Sequence, residues 1–165
     1  RRLVVDGSSK SSATTFENLS ATGVSFRQED MEYISGSTYG INYSNRDGSI
    51  ELVSCKISGS PTSAMFATSP SLSADGNQTV TINGLELDGT IASGLLNGIQ
   101  VTKVNNLTNT LALDIKAVDA KLTATGSGNV AGINVKTVNP TISIASLGWR
   151  LYCLLWALWD GYLLT

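Results

Sequence analysis

The chain contains no histidine. That removes the side chain best suited to shuttling protons near neutral pH, and with it the commonest metal ligand. Cysteine is scarce: Cys55 and Cys153 are the whole complement. Without a CxxC pair, neither a zinc site nor a thioredoxin-type redox motif can be built. The two thiols can form one long-range disulfide or stay apart as two buried free cysteines. Charge is scarce as well, 15% of residues with a net charge of −2, against about 25% in an ordinary globular chain. This leaves no electrostatic case for nucleic acid and no basic face for an anionic membrane.

Catalytic motifs are missing too. GxSxG, GxxxxGK[ST] and HExxH do not occur, and a serine nucleophile without histidine would need lysine as its base. The carboxylates fall at polar positions of alternating segments or in glycine-containing turns, where solvated surface is the ordinary role. The densest acidic stretch, "RQEDMEY" at 27–33, lacks the spaced Asp/Asn-Gly loop that wraps a hard cation. It reads as a solvated edge or a short helical turn. The expectation is a non-enzymatic chain with no catalytic residue, no metal and no cofactor.

What the chain has is serine, threonine and asparagine, 21, 17 and 12 of its 165 residues, together with 16 glycines and 42% hydrophobic residues. The apolar content is too high for disorder, and the polar residues are of the kind that line β-strands and turns. Period-2 alternation recurs in "TVTINGLELDG", "GIQVTKV", "LALDIKAV", "GINVKTV" and "TISIASL". Each predicts a half-buried strand. "NRDGS", "SADGNQ", "LDGT" and "ATGSGN" between strands are turn clusters. Segments 58–76 and 7–15 lack periodicity and read as loops.

A phrase of the form apolar-x-x-apolar-x-apolar-x-Gly occurs at 52–59 and 82–89, with a weaker version at 16–23. Its three-residue step switches the apolar face, as a bulge or sharp bend would. Such phrases resemble the coils of right-handed parallel β-helices. The closing glycines, Gly23, Gly59 and Gly89, are unevenly spaced, and solenoids are recognised by fixed periods. The expected fold is therefore an all-β antiparallel sandwich of jelly-roll or Greek-key type with a terminal apolar strand. The alternative is the right-handed parallel β-helix.

The domain reading is a β-domain over 1–147 followed by an apolar C-terminal segment over 148–165. That segment, "GWRLYCLLWALWDGYLLT", holds all three tryptophans. Arg150 and Asp160 interrupt it, so it is too short for a membrane span of about 20 apolar residues. As a strand it is apolar on both faces. Its residues Trp149, Leu151, Leu154, Leu155, Trp156, Leu158 and Trp159 are expected in the core or at an interface between subunits. Asn18, Asn42, Asn77 and Asn106 head N-glycosylation sequons, about the number chance alone would place in so Ser/Thr-rich a chain.

A polar β-domain of this size with one two-faced apolar terminal segment resembles, in outline, secreted fibre subunits assembled by strand exchange, such as pilins and archaeal threads. The resemblance rests on composition, size and that segment. It implies an extracellular or cell-surface structural glycoprotein whose partners are copies of itself, a homo-polymer in filament, fibril or surface-layer form, with glycans as a further partner. The position of the segment and the wide cysteine spacing depart from chaperone–usher pilins, so no site residues carry over. The runner-up function is a β-helix surface adhesin or phage-spike-like module that binds or cleaves polysaccharide. The chain starts at Arg1-Arg2 without a signal-peptide core, which reads as a mature or trimmed chain.

Overall fold

The computed structural model describes residues 2–9, 16–19, 24–44, 48–68, 78–102, 111–136 and 140–154. These form β1 (Leu3–Gly7), β2 (Phe16–Leu19), β3 (Val24–Glu29), β4 (Met31–Ser35), β5 (Tyr39–Ser44), β6 (Gly48–Gly59), β7 (Ala64–Thr68), β8 (Gln78–Thr102), β9 (Leu111–Lys136) and β10 (Pro140–Leu154). Every pairing is parallel, and all ten strands join one sheet. The sheet winds into a β-solenoid with three faces. Face 1 stacks β3, the first half of β6, and the starts of β8, β9 and β10. Face 2 stacks β1, β4, the end of β6, and the middle segments of β8, β9 and β10. Face 3 stacks β2, β5, β7 and the last segments of β8 and β9.

Alternation sets which side chains point in. Phe26, Ile50, Val80 and Leu113 form one inward column on face 1. Tyr33, Ile57, Leu87 and Ala120 form another on face 2. Ile41, Phe66, Ile99 and Ile133 line face 3. All but Phe26 and Ile133 are buried, and those two pack against the same core. Each coil thus covers the inner side of its sheet with its own other two faces, while the outer side stays polar.

The corner between faces 1 and 2 explains the recurring phrase. Asp30, Ser54, Gly84 and Ala117 all hold positive φ, between 51° and 82°. They lie between the paired stretches on either side, so they stack as one row. A left-handed residue rotates the chain and resets the alternation, which is the three-residue apolar step from Leu52 to Cys55 and from Ile82 to Leu85. Ala117, expected on the apolar side of "LALDIKAV", is exposed for this reason, and Val118 takes the buried position.

The antiparallel sandwich is overturned by the all-parallel registers, and the parallel β-helix alternative fits. Parallel strands are ordinarily covered on both sides, yet these strands each show one polar face. A solenoid escapes that rule because the coil supplies its own cover. The period was hidden because coil length varies. Val24, Gly48, Gln78, Leu111 and Pro140 stand in one column, at steps of 24, 30, 33 and 29 residues. The spare residues fall at corners and in connections outside the paired strands. The phrase at 16–23 was a false member: Gly59 pairs with Gly89 and, on its other side, with Ser35.

Two local expectations also change. Segment 58–76 was read as loop, yet it contains β7, whose five residues are all buried. A strand buried throughout has no alternation to detect. The acidic stretch 27–33 forms no helical turn; it is two strands bent at Asp30.

Candidate functional site

Among the described residues the interior is lined by apolar side chains, and several of the polar groups that reach it are hydrogen-bonded. Tyr33 donates to Gln28 Oε1 at 2.6 Å. The Cys55 thiol donates to the carbonyls of Gln28 and Val53, both at 3.4 Å. Burial pushes the Tyr33 phenol well above its usual range, and the neighbouring Cys55 adds to the shift. Burial likewise pushes the Cys55 thiol up, against the hydrogen bonds of the backbone. Neither group is placed to react with solutes.

At the corner opening face 3, Asn97 is only 4% exposed. Its Nδ2 donates to the Ser63 carbonyl at 3.1 Å and to Gln100 Oε1 at 3.3 Å, and its Oδ1 accepts from Asn134 Nδ2 at 3.2 Å. Sequence reasoning missed this polar hub. The only hint was an asparagine just ahead of the apolar pair Ile99 and Val101.

The outer surface carries charges stacked along the solenoid axis. On face 1, Arg27 Nη1 lies 2.8 Å from Glu51 Oε2 on the next coil, and Nη2 lies 3.0 Å from Glu29 Oε2. Hydrogen bonding to Glu29 is the main reason Arg27 holds its proton more tightly than usual, with the charges of Glu29 and Glu51 behind it. On face 2, Lys56 Nζ lies 3.1 Å from Glu86 Oε1, and Arg2 Nη1 lies 3.5 Å from Glu86 Oε2. A shallow concavity of about 160 Å³ there is lined by Glu86, Leu87, Asp88, Asp119 and Lys121. Among the described residues no group of three His, Cys, Asp or Glu side chains could hold a metal ion.

No family model, curated protein or solved structure matches the chain. The remaining geometry concerns the two ends of the stack. Among the described residues β1 pairs with β4, and β10 with β9. In β1, Val5 packs against the core, whereas Leu3 is 66% exposed and Val4 50%. Leu3 shares the inward parity of Val5, so an apolar column is left uncovered at that end. β10 runs unbroken from Pro140 to Leu154, across the expected boundary at 147/148. Trp149, Leu151 and Cys153 stand at the registers of Ala120, Leu122 and Ala124, all buried, and Leu154 stands beside Thr125. Leu155, Trp156, Leu158 and Trp159 lie outside the described residues.

The other expected positions scatter. Cys55 is a buried free thiol. Its stack runs through Leu85 and Val118 to Leu147, three strands on, and Cys153 is six residues further along β10. Three strand spacings of about 4.8 Å already exceed the reach of a disulfide. Asn42 is 7% exposed within β5, so the folded chain does not present it to a glycosylating enzyme. Asn18 lies in β2, and Asn77 and Asn106 fall outside the described residues.

Among the described residues no helix is long and apolar enough to cross a membrane.

Proposed function

We propose that the chain is a non-enzymatic structural β-solenoid subunit that self-associates, as part of a filament or surface layer outside the cell. The observation that carries the reading is β1, which among the described residues pairs on one side and exposes Leu3 and Val4. An unpaired strand edge is a template for another strand, and solenoid repeats need a cap or a neighbour at each end. The extracellular setting is supported by the low charge, the high serine and threonine content and the all-β fold. The non-enzymatic reading rests on the residue inventory, which lacks histidine and the common catalytic motifs. Sedimentation velocity of the full chain over a hundredfold concentration range tests the proposal. Growth of larger species with concentration is expected, and a single monomer boundary throughout would end it.

A second reading, a surface module that binds polysaccharide, is favoured by the shallow acidic concavity on face 2. Sugar recognition ordinarily adds aromatic faces for stacking. Tyr33, Tyr43 and Phe66 are buried, and Phe26 and Tyr39 are half-buried, so these five aromatics support the core instead. Binding of oligosaccharides to the wild type, lost in Glu86→Gln and Asp119→Asn, would revive this second reading.

A further inference from the structure

We infer that Asn83 is a modification site: its side-chain amide is lost through attack by the Gly84 backbone nitrogen, leaving aspartate and isoaspartate on the outer side of face 1. Of the 12 asparagines, only Asn83 and Asn97 precede glycine. Glycine has no Cβ to shield its nitrogen and turns freely, so an Asn-Gly step is where a chain most readily closes on its own side chain. The Gly84 nitrogen bonds to Asn83 Cγ, and the bond from Cγ to the amide nitrogen breaks. Ammonia departs with the proton of the Gly84 N–H. Water then opens the cyclic imide at one or the other carbonyl, giving aspartate or isoaspartate. Water is the sole co-reactant, and nothing is oxidised or reduced.

The fold separates the two Asn-Gly steps. Asn97 is 4% exposed and Gly98 is buried. The Asn97 amide is held by Ser63, Gln100 and Asn134, and its own N–H donates to the Ser63 carbonyl at 2.9 Å. To react, that side chain must leave its bonds and rotate inside a packed corner. Asn83 instead is exposed, and Gly84 beside it is half-buried at the corner between faces 1 and 2. Among the described residues no hydrogen bond holds the Asn83 side chain. Its register neighbours are Val53 on one coil and Lys116 on the next. Lys116 Nζ already lies 2.9 Å from Asp114 Oδ2, so the aspartate product sets a second carboxylate near an ammonium, a tolerated cross-strand pairing. Isoaspartate adds a methylene to the main chain. It lengthens the coil where Ser54, Gly84 and Ala117 stack, and should be the more disruptive product.

The test incubates the full folded chain at pH 8 and follows both Asn-Gly peptides by mass spectrometry, beside a sample kept in concentrated urea. The flanking residues are alike, Ile82 and Leu85 against Leu96 and Ile99, so the unfolded chain should react comparably at both steps. In the folded chain Asn83 is expected to react about tenfold faster than Asn97 or more, because Asn97 waits for its corner to open. Asn83→Gln should remove the mass gain from its peptide. The rate at Asn83 should fall at pH 6, since attack requires the Gly84 nitrogen to lose its proton. Aspartate and isoaspartate, separated by chromatography, should both appear, and aspartate alone would overturn the imide route. The inference also falls if Asn97 reacts as fast as Asn83 in the folded chain. It falls equally if Asn83 stays intact over the time in which the urea sample is converted. None of these outcomes depends on whether the chain self-associates.

Discussion

Ser54 and Gly84 stand side by side at the corner between faces 1 and 2, and both hold a positive φ, 51° and 82°. The conformation is required at this corner, and the residue type is not matched to it in every coil. Left-handed backbone costs a non-glycine residue about 1 kcal/mol or more. Ala117 carries that cost one coil further on, with an exposed side chain that contributes little packing. Ala117→Gly should therefore raise stability by about 0.5–1 kcal/mol after the entropy of the unfolded chain is counted. Gly84→Ala should lower it by about 1–2 kcal/mol, since a Cβ there would also stand 3.2 Å from the Ser54 amide nitrogen. Urea midpoints of the two variants decide the matter, and the same sign for both would contradict the role of the corner.

That corner also separates what could be read in the sequence from what could not. Strands at Thr79–Ile82, Leu113–Ile115 and Ile99–Val101 follow from alternation, because each has one wet side and one dry side. The phrases ending at Gly59 and Gly89 were also legible, as was their switch of face. The coil was not, because its length is free wherever the chain leaves the paired strands, and selection acts on the register inside. The true counterpart of Gly59 on the preceding coil is Ser35, a residue with no resemblance to it, while the similar phrase at 16–23 belongs elsewhere. β7 escaped because Met65 and Phe66 are both fully buried.

Gly59 is held by its neighbour. Its φ is +113°, and a Cβ added to it would overlap the Ser35 carbonyl oxygen, which accepts a hydrogen bond from the Ser60 amide at 2.8 Å. Backbone cannot yield as a flexible side chain would. Gly59→Ala should cost about 2–4 kcal/mol, combining overpacking with strained backbone. Chemical denaturation of the variant measures it, and a loss below about 1 kcal/mol would mean that the coils can slide apart locally.

Asn97 concentrates the buried polar bonding of the face 3 corner. Asn97→Ala removes one bond each from the Ser63 carbonyl, Gln100 Oε1 and Asn134 Nδ2. The Ser63 carbonyl keeps the backbone amide of residue 97, Gln100 Oε1 keeps the Ser63 hydroxyl, and the exposed Asn134 turns to water. With no group left bare, a loss of about 1–2 kcal/mol is expected. Asn97→Asp keeps the shape and replaces the donating amide with an acceptor facing two other oxygens. It should be at least as damaging at neutral pH and recover as the new carboxyl is protonated. Thermal melts at pH 4 and pH 7 distinguish the two variants, and an alanine variant with an unchanged melting temperature would dismiss the hub as incidental.

The buried pair Tyr33 and Cys55 makes stability depend on alkaline pH. Both acids titrate higher in the folded chain than in the unfolded one, so between the two values the folded state holds protons that the unfolded state has released. Stability then falls with rising pH. The contribution is fully present below the ordinary thiol value of about 8.5 and the ordinary phenol value of about 10, and it drains away as pH climbs towards the higher folded values. Urea midpoints should be flat from pH 7 to 8 and decline through pH 9–11. Cys55→Ala should remove the earlier part of that decline. Tyr33→Phe should lose about 1 kcal/mol at pH 7 with the bond to Gln28, yet flatten the later part. Groups common to all three proteins cancel in the difference between curves, which isolates the buried pair. Three parallel curves would mean that the thiol and phenol are hydrated well enough to ionise in place.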